Sequence, residues 1–206
     1  LTSALGLEIG NLAVGLSSFV DAPCAGFGSS TRDFGYEMNL AITTELDSLA
    51  TALSGIDIRS GSDGPESQLE AMYQALTGEG LTVTRGDASC RPRADIPPSD
   101  LMWRERALSF LFLSTDANFH HPSDSGYPYE HDADDVIEKA LERGTRVFFL
   151  QAGGSTDPDA GRIADATGGE VFTLASDSSG IVARVTSGIF DALANTEIEL
   201  VPEGDD

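Results

Sequence analysis

Residues Leu108 to Ser114 form an almost wholly apolar run, the pattern expected of a strand covered on both faces. Such a strand belongs near the centre of a sheet sandwiched by helices. The sequence that follows supplies the partners. Ala133 to Arg143 reads as a helix and Thr145 to Ala152 as a second buried strand. Asp157 to Thr167 is a short helix stopped by Gly168-Gly169, Glu170 to Leu174 a short strand, and Ser178 to Ala194 a final amphipathic helix. This alternation predicts an α/β fold with a doubly wound, mainly parallel sheet and helices on both faces.

The first half completes the scheme. Asn11 to Val20 reads as a buried strand ending at Asp21, followed by a loop of Pro, Cys, Gly and Ser through Asp33. Phe34 to Thr43 then reads as an antiparallel edge strand. Thr44 caps a helix that carries Leu46, Leu49, Ala50 and Leu53 and ends at Gly55. The loop Asp57 to Pro65 leads into a helix from Glu66 to Thr77 with Leu69, Met72, Tyr73 and Leu76 facing inward. Gly78 to Asp100 is a long polar insertion, the least core-like part of the chain. One domain is expected over residues 1–195, with 196–206 a linker or the start of a neighbouring domain.

Charge narrows the partners. Among 206 residues, 34 are acidic and 12 basic, a formal net charge of -22, and Lys139 is the only lysine. Nucleic acid and anionic membranes are poor partners for such a chain, and divalent cations are good ones. Most of these carboxylates read as a solvated surface suited to a salty or extracellular setting. No stretch approaches the length of a membrane span and no basic-then-apolar leader opens the chain. Leu1 in place of an initiator methionine reads as a trimmed or excised domain whose leader lies upstream.

Two segments concentrate the chemistry. Ser62-Asp63-Gly64-Pro65-Glu66 is an acidic turn opening a helix, and Leu113-Ser114-Thr115-Asp116-Ala117 places an aspartate at the exit of a buried strand. Together they are a means of gathering hard oxygen ligands around a cation at one sheet edge. Taken singly, Glu66 reads equally well as a helix N-terminal acid and Asp116 as a turn former. Their pairing in this order favours a metal.

Several segments in sequence resemble the I-like domain of integrin β subunits, a branch of the von Willebrand factor A family. Ala13 to Asp21 is similar to its second strand, Phe34-Gly35-Tyr36 to the opening of its third, and Asp63-Gly64-Pro65-Glu66 to its acidic turn. Trp103-Arg104 with Leu108 to Ala117 resembles its fourth strand, and Leu174 to Ser179 its entry to the last helix. Ala166 to Phe172 is similar to bacterial A domains, which points to a bacterial integrin-like protein. The resemblance implies a central magnesium site using Glu66 and Asp116, a flanking calcium site using Asp21, Asp63, the Pro65 carbonyl and Glu66, and a further calcium site touching the Ser176 carbonyl. It also implies adhesion, not catalysis. The partner would be a protein ligand presenting an acidic residue, with a β-propeller-type domain or subunit beside it, at an extracellular or cell-surface location.

Two departures stand out. Gly61 occupies the position where the family has an amide ligand, and the family's Asp-x-Ser-x-Ser loop is absent. That loop follows the family's central first strand, so the resemblance places such a segment upstream of Leu1; without it the sheet would have a hole. Two other readings of the chain remain: a module in which calcium only stabilises loops, and a metal-dependent hydrolase built on Asp116 with Asp124 and His131 and with His120 and His121 nearby. No metal-binding histidine spacing and no G-x-S-x-G elbow supports an enzyme, and the histidines read as solvated loop residues. Arg85-Gly86-Asp87 reads as ordinary turn chemistry. Cys24 and Cys90 fit one disulfide or two free thiols, the bridge being slightly favoured for an exported domain.

Overall fold

The computed structural model describes residues 11–88, 90–153, 157–174 and 180–194. Strand β1 (Val14–Ser18) pairs antiparallel with β2 (Glu37–Thr43). Helix α1 (Asp47–Ser54) follows, and here the expected cap moves. Leu46 holds the N-cap position without a side-chain bond, while the turn is tied by the Glu45 N–H donating to Thr43 Oγ1 at 3.1 Å. Thr44 therefore caps nothing. None of the residues of α1 is buried, and Leu53 is 51% exposed.

Helix α2 (Gln68–Thr77) begins two residues later than expected, because Glu66 is held in a parallel bridge to Phe119. Gln68 to Leu76 are all buried, so α2 is a helix inside the protein and not an amphipathic one on its surface. Leu69, Met72 and Leu76 join one apolar cluster, and Ala71 and Ala75 a second. The polar members find partners inside: Gln74 Nε2 donates to Glu70 Oε1 at 2.8 Å, and His131 Nδ1 lies 2.8 Å from Glu70 Oε2 with its ring stacked on Tyr73.

The segment between residues 78 and 100 is more core-like than its composition suggests. Val83, Cys90, Ala94 and Ile96 are buried, Leu81 bridges Ile96, and a short helix α3 (Arg91–Ala94) lies within it. A disulfide joins Cys24 to Cys90 with a Cα separation of 5.0 Å. The apolar residues of a polar-looking segment are thus gathered around a covalent staple.

In the second half, β3 (Ser109–Thr115), α4 (Ala133–Arg143), β4 (Thr145–Gln151), α5 (Pro158–Thr167), β5 (Val171–Thr173) and α6 (Ile181–Ala194) alternate as expected. The three strands form a parallel sheet in the order β3-β4-β5. Asp132 and Asp135 make a reciprocal capping box at the start of α4. At the end of α5, Gly168 takes φ 73°. A Cβ on Gly169 would stand 1.8 Å from the Val147 carbonyl oxygen, so only glycine lets this turn pass so close to β4. Val147 and Phe149 pack among α2, α4 and α5, whereas Phe148 and Leu150 pack against Val185 and Ile189 of α6. Successive residues of β4 thus bury on opposite faces, which is why the strand is apolar throughout.

The expected single sheet is not formed among the described residues. β1-β2 and β3-β4-β5 are separate sheets, so β2 edges a two-stranded sheet and β3 ends the parallel one instead of sitting at its centre. Between β1 and β3 runs a groove of about 570 Å³, sided by Leu16 to Val20 and by Leu111 to Thr115 and floored by Ala71, Met72 and Ala75 of α2. The carboxyl ends of both strands meet the start of α2: Ser67 N–H donates to the Val20 carbonyl at 3.1 Å, and Gln68 Nε2 to Thr115 Oγ1 at 2.8 Å. β1 and β3 therefore point the same way. The groove lies where the expected middle strand would run.

Candidate metal centre

Backbone bonds bring three loop segments together at this carboxyl edge. Glu66 N–H donates to the Asn118 carbonyl at 2.9 Å, and His120 N–H donates to the Glu66 carbonyl at 2.8 Å. The segment leaving β3 is thereby stitched to the acidic turn. Asp21, at the exit of β1, sits beside both.

Asp21 is 0% exposed. Its Oδ1 accepts from Ala22 N–H at 2.6 Å and from Ser67 Oγ at 3.0 Å, and Ser67 Oγ in turn accepts from the Tyr127 hydroxyl at 2.8 Å. Its Oδ2 has no hydrogen-bond partner; His120 Nε2 stands 3.5 Å away. The same Nε2 is 3.3 Å from the Asp63 carboxylate, and Nδ1 is 2.8 Å from Asp124 Oδ2. Tyr127 stacks on the His120 ring and Phe27 meets it edge-on, so the imidazole is held on two sides. Glu66 Oε1 accepts from Gly61 N–H at 3.1 Å, and its Oε2 is buried without a partner.

The electrostatics follow from this crowding. Burial, with Asp21, Asp33 and Asp63 adding to it against the Gly61 hydrogen bond, pushes Glu66 up to about 7. Burial likewise raises Asp21, against the opposing pull of His120 and its hydrogen bonds. For His120 burial disfavours the charged ring, but the Asp21 and Asp124 carboxylates beside its two nitrogens, with the charge of Asp63, outweigh it and lift the pKa to about 9. Two buried carboxylate oxygens without donors, one on Asp21 and one on Glu66, are atoms a divalent cation would satisfy. The donor set fits such an ion.

The expected ligands fall as follows. Glu66 and Asp116 both line the groove, Asp116 exposed where β3 ends. Asp21 and Asp63 approach each other through His120. Pro65 lies directly before Glu66 in the turn, and Ser176 lies outside the described residues. A Cβ on Gly61 would meet Asp21 Oδ2 and the Phe27 carbonyl at 3.0 Å, so a larger residue there would crowd both.

His120 corrects the sequence reading. It is 3% exposed, not a solvated loop residue. No local signal marked it, because Phe27, Tyr127 and Asp21, from other segments, enclose the ring. The hydrolase grouping does not assemble among the described residues: Asp124 holds His120, and His131 holds Glu70. His121 lies instead 3.5 Å from Asp159 and 4.0 Å from Asp157, whose own oxygens are taken by the start of α5 and by Phe119 N–H.

Taken together, the chain is a mixed α/β domain of Rossmann-like layering with an acidic, cation-type cluster at the carboxyl ends of its strands. No family model matches it. It is similar to Integrin beta-PS of Drosophila melanogaster, 25% identical over 126 residues that cover 55% of this chain. The alignment spans 13% of that protein. Among the described residues no helix is long and apolar enough to cross a membrane.

Proposed function

We propose that this is an extracellular, non-enzymatic domain that binds a protein ligand through a divalent cation held at the Glu66–Asp116 edge. Magnesium or calcium bound there would offer an open coordination position to a carboxylate of the partner. The chain's own part is to present the oxygens. Glu66 supplies a buried Oε2 that no donor satisfies, and Asp116, exposed at the exit of β3, lines the same groove. That shared placement is the observation that carries the reading. The similarity to an integrin β protein and a disulfide suited to an oxidising compartment agree with it.

The same reading completes the sheet. A strand lying parallel to β1 and β3 in the groove would give one mainly parallel sheet with β2 as its antiparallel edge, and would deliver its carboxyl end to Glu66 and Asp116. A β-propeller-type neighbour would sit beside this edge.

A short aspartate-containing peptide serves as the probe. By calorimetry it should bind the purified chain in magnesium, and lose binding on chelation, in Asp116→Asn, and when its aspartate is replaced by asparagine. Equal binding in chelator would overturn the proposal.

A further inference from the structure

We propose that Asp21, Asp63 and His120 form a mixed oxygen and nitrogen site that takes a zinc-class transition-metal ion in preference to calcium or magnesium. The proposal rests on the reading that this sheet edge binds cations, and it assigns a different ion to the part of the edge that holds an imidazole.

The geometry is that of donors around one ion. His120 Nε2 is 3.3 Å from the Asp63 carboxylate and 3.5 Å from Asp21 Oδ2. Metal bonds of about 2.0–2.1 Å at tetrahedral angles set neighbouring donors about 3.3–3.4 Å apart. Asp21 Oδ2 is the independent pointer: the residue is 0% exposed and this oxygen has no hydrogen bond, whereas its sister oxygen has two donors, from Ala22 and Ser67. A buried carboxylate oxygen that faces an imidazole nitrogen in this way is placed to share a metal ion with it.

The surroundings of His120 are those of a ligating histidine. Asp124 Oδ2 lies 2.8 Å from Nδ1 and accepts its N–H, which turns Nε2 towards Asp21 and Asp63, where a bound ion would take the place of the Nε2 proton. Tyr127 fixes the ring by stacking, and through its hydroxyl also holds Ser67, which holds Asp21. One tyrosine thus orients two of the three donors. Selectivity follows from the nitrogen. Calcium and magnesium take oxygen ligands, whereas imidazole suits zinc, copper, iron and nickel. Three protein donors also leave a coordination position open.

The test uses the purified chain stripped of metal by chelation. Zinc should bind at one equivalent about 100-fold more tightly than calcium or magnesium, and cobalt(II) should give the intense visible absorption of four-coordinate cobalt. His120→Asn should abolish both signals. Should that variant not fold, Asp124→Asn decides, with an expected loss of about 10–100-fold in zinc affinity. Calcium binding as tightly as zinc, a weak six-coordinate cobalt spectrum, or zinc affinity unchanged in Asp124→Asn would each overturn the proposal. Zinc binding without magnesium-dependent peptide binding would uphold this site and remove the adhesion reading; magnesium-dependent peptide binding without a zinc-selective site would do the reverse.

Discussion

Removing the charge of Glu66 should stabilise the protein without metal and weaken it with metal. Burial and neighbouring carboxylates raise this group from 4.5 to about 7. The sign follows from proton binding. Between about pH 4.5 and about pH 7 the unfolded chain has lost the proton while the folded one retains it, so stability falls as pH rises through that window. A shift of that size corresponds to about 3 kcal/mol, and the open groove beside the half-buried side chain reduces it to about 2 kcal/mol. In Glu66→Gln the amide oxygen still accepts from Gly61 N–H, but no charge forms. In chelator at about pH 8 the variant should therefore melt roughly 4–8 °C above the wild type, with the gap closing below about pH 4.5. In millimolar magnesium the order should reverse, because the variant has lost an anionic ligand. A gain in chelator that does not vary with pH, or no gain at all, would refute the burial argument, as would a magnesium response equal in both proteins.

Three further outcomes follow from the packing. Reducing the Cys24–Cys90 bridge, which spans a sequence separation of 66, should cost about 4 kcal/mol in the chain-entropy model, read from urea melts with and without reductant. His131 is desolvated, yet its hydrogen bond and ion pair with Glu70 raise its pKa above the ordinary value. Its contribution is therefore complete below about pH 6.5 and lost as pH rises through the folded pKa, so the deficit of His131→Gln should be larger at about pH 6 than at about pH 9. Gly169→Ala places a Cβ against the Val147 carbonyl and should lower stability by more than about 2 kcal/mol, measurable as a fall in Tm.

Local signals were legible where they were chemically complete. Ala133–Arg143 emerges at the expected residues because Asp132 caps one end and Gly144, in the left-handed conformation, closes the other. β4 was readable because both of its faces are buried. The start of α1 was not, since its N-cap falls on Leu46, which carries no capping group for a sequence pattern to find, while Thr43 ties only the preceding turn. Nor could composition reveal that the segment before Leu101 is drawn into the core, because Cys24 lies far off in sequence and the bridge does the drawing. Of the candidate site, Glu66 and Asp116 were visible as an acidic turn and a strand exit. His120 was not, because its burial depends on Phe27, Tyr127 and Asp21, contributed by other loops.

The claim that a cation belongs at this edge is tested most directly by thermal melting of the chelator-stripped chain during titration with magnesium or calcium, each point matched by sodium chloride of equal ionic strength. A bound ion that relieves the Glu66 carboxylate stabilises by mass action, about 2.7 kcal/mol when the free ion reaches a hundred times its Kd. Tm should then rise by roughly 5–11 °C above the sodium chloride control and continue to climb with the logarithm of cation concentration. A rise no larger than that in sodium chloride would contradict the account, since it would reduce this edge to a solvated acidic surface that any salt screens.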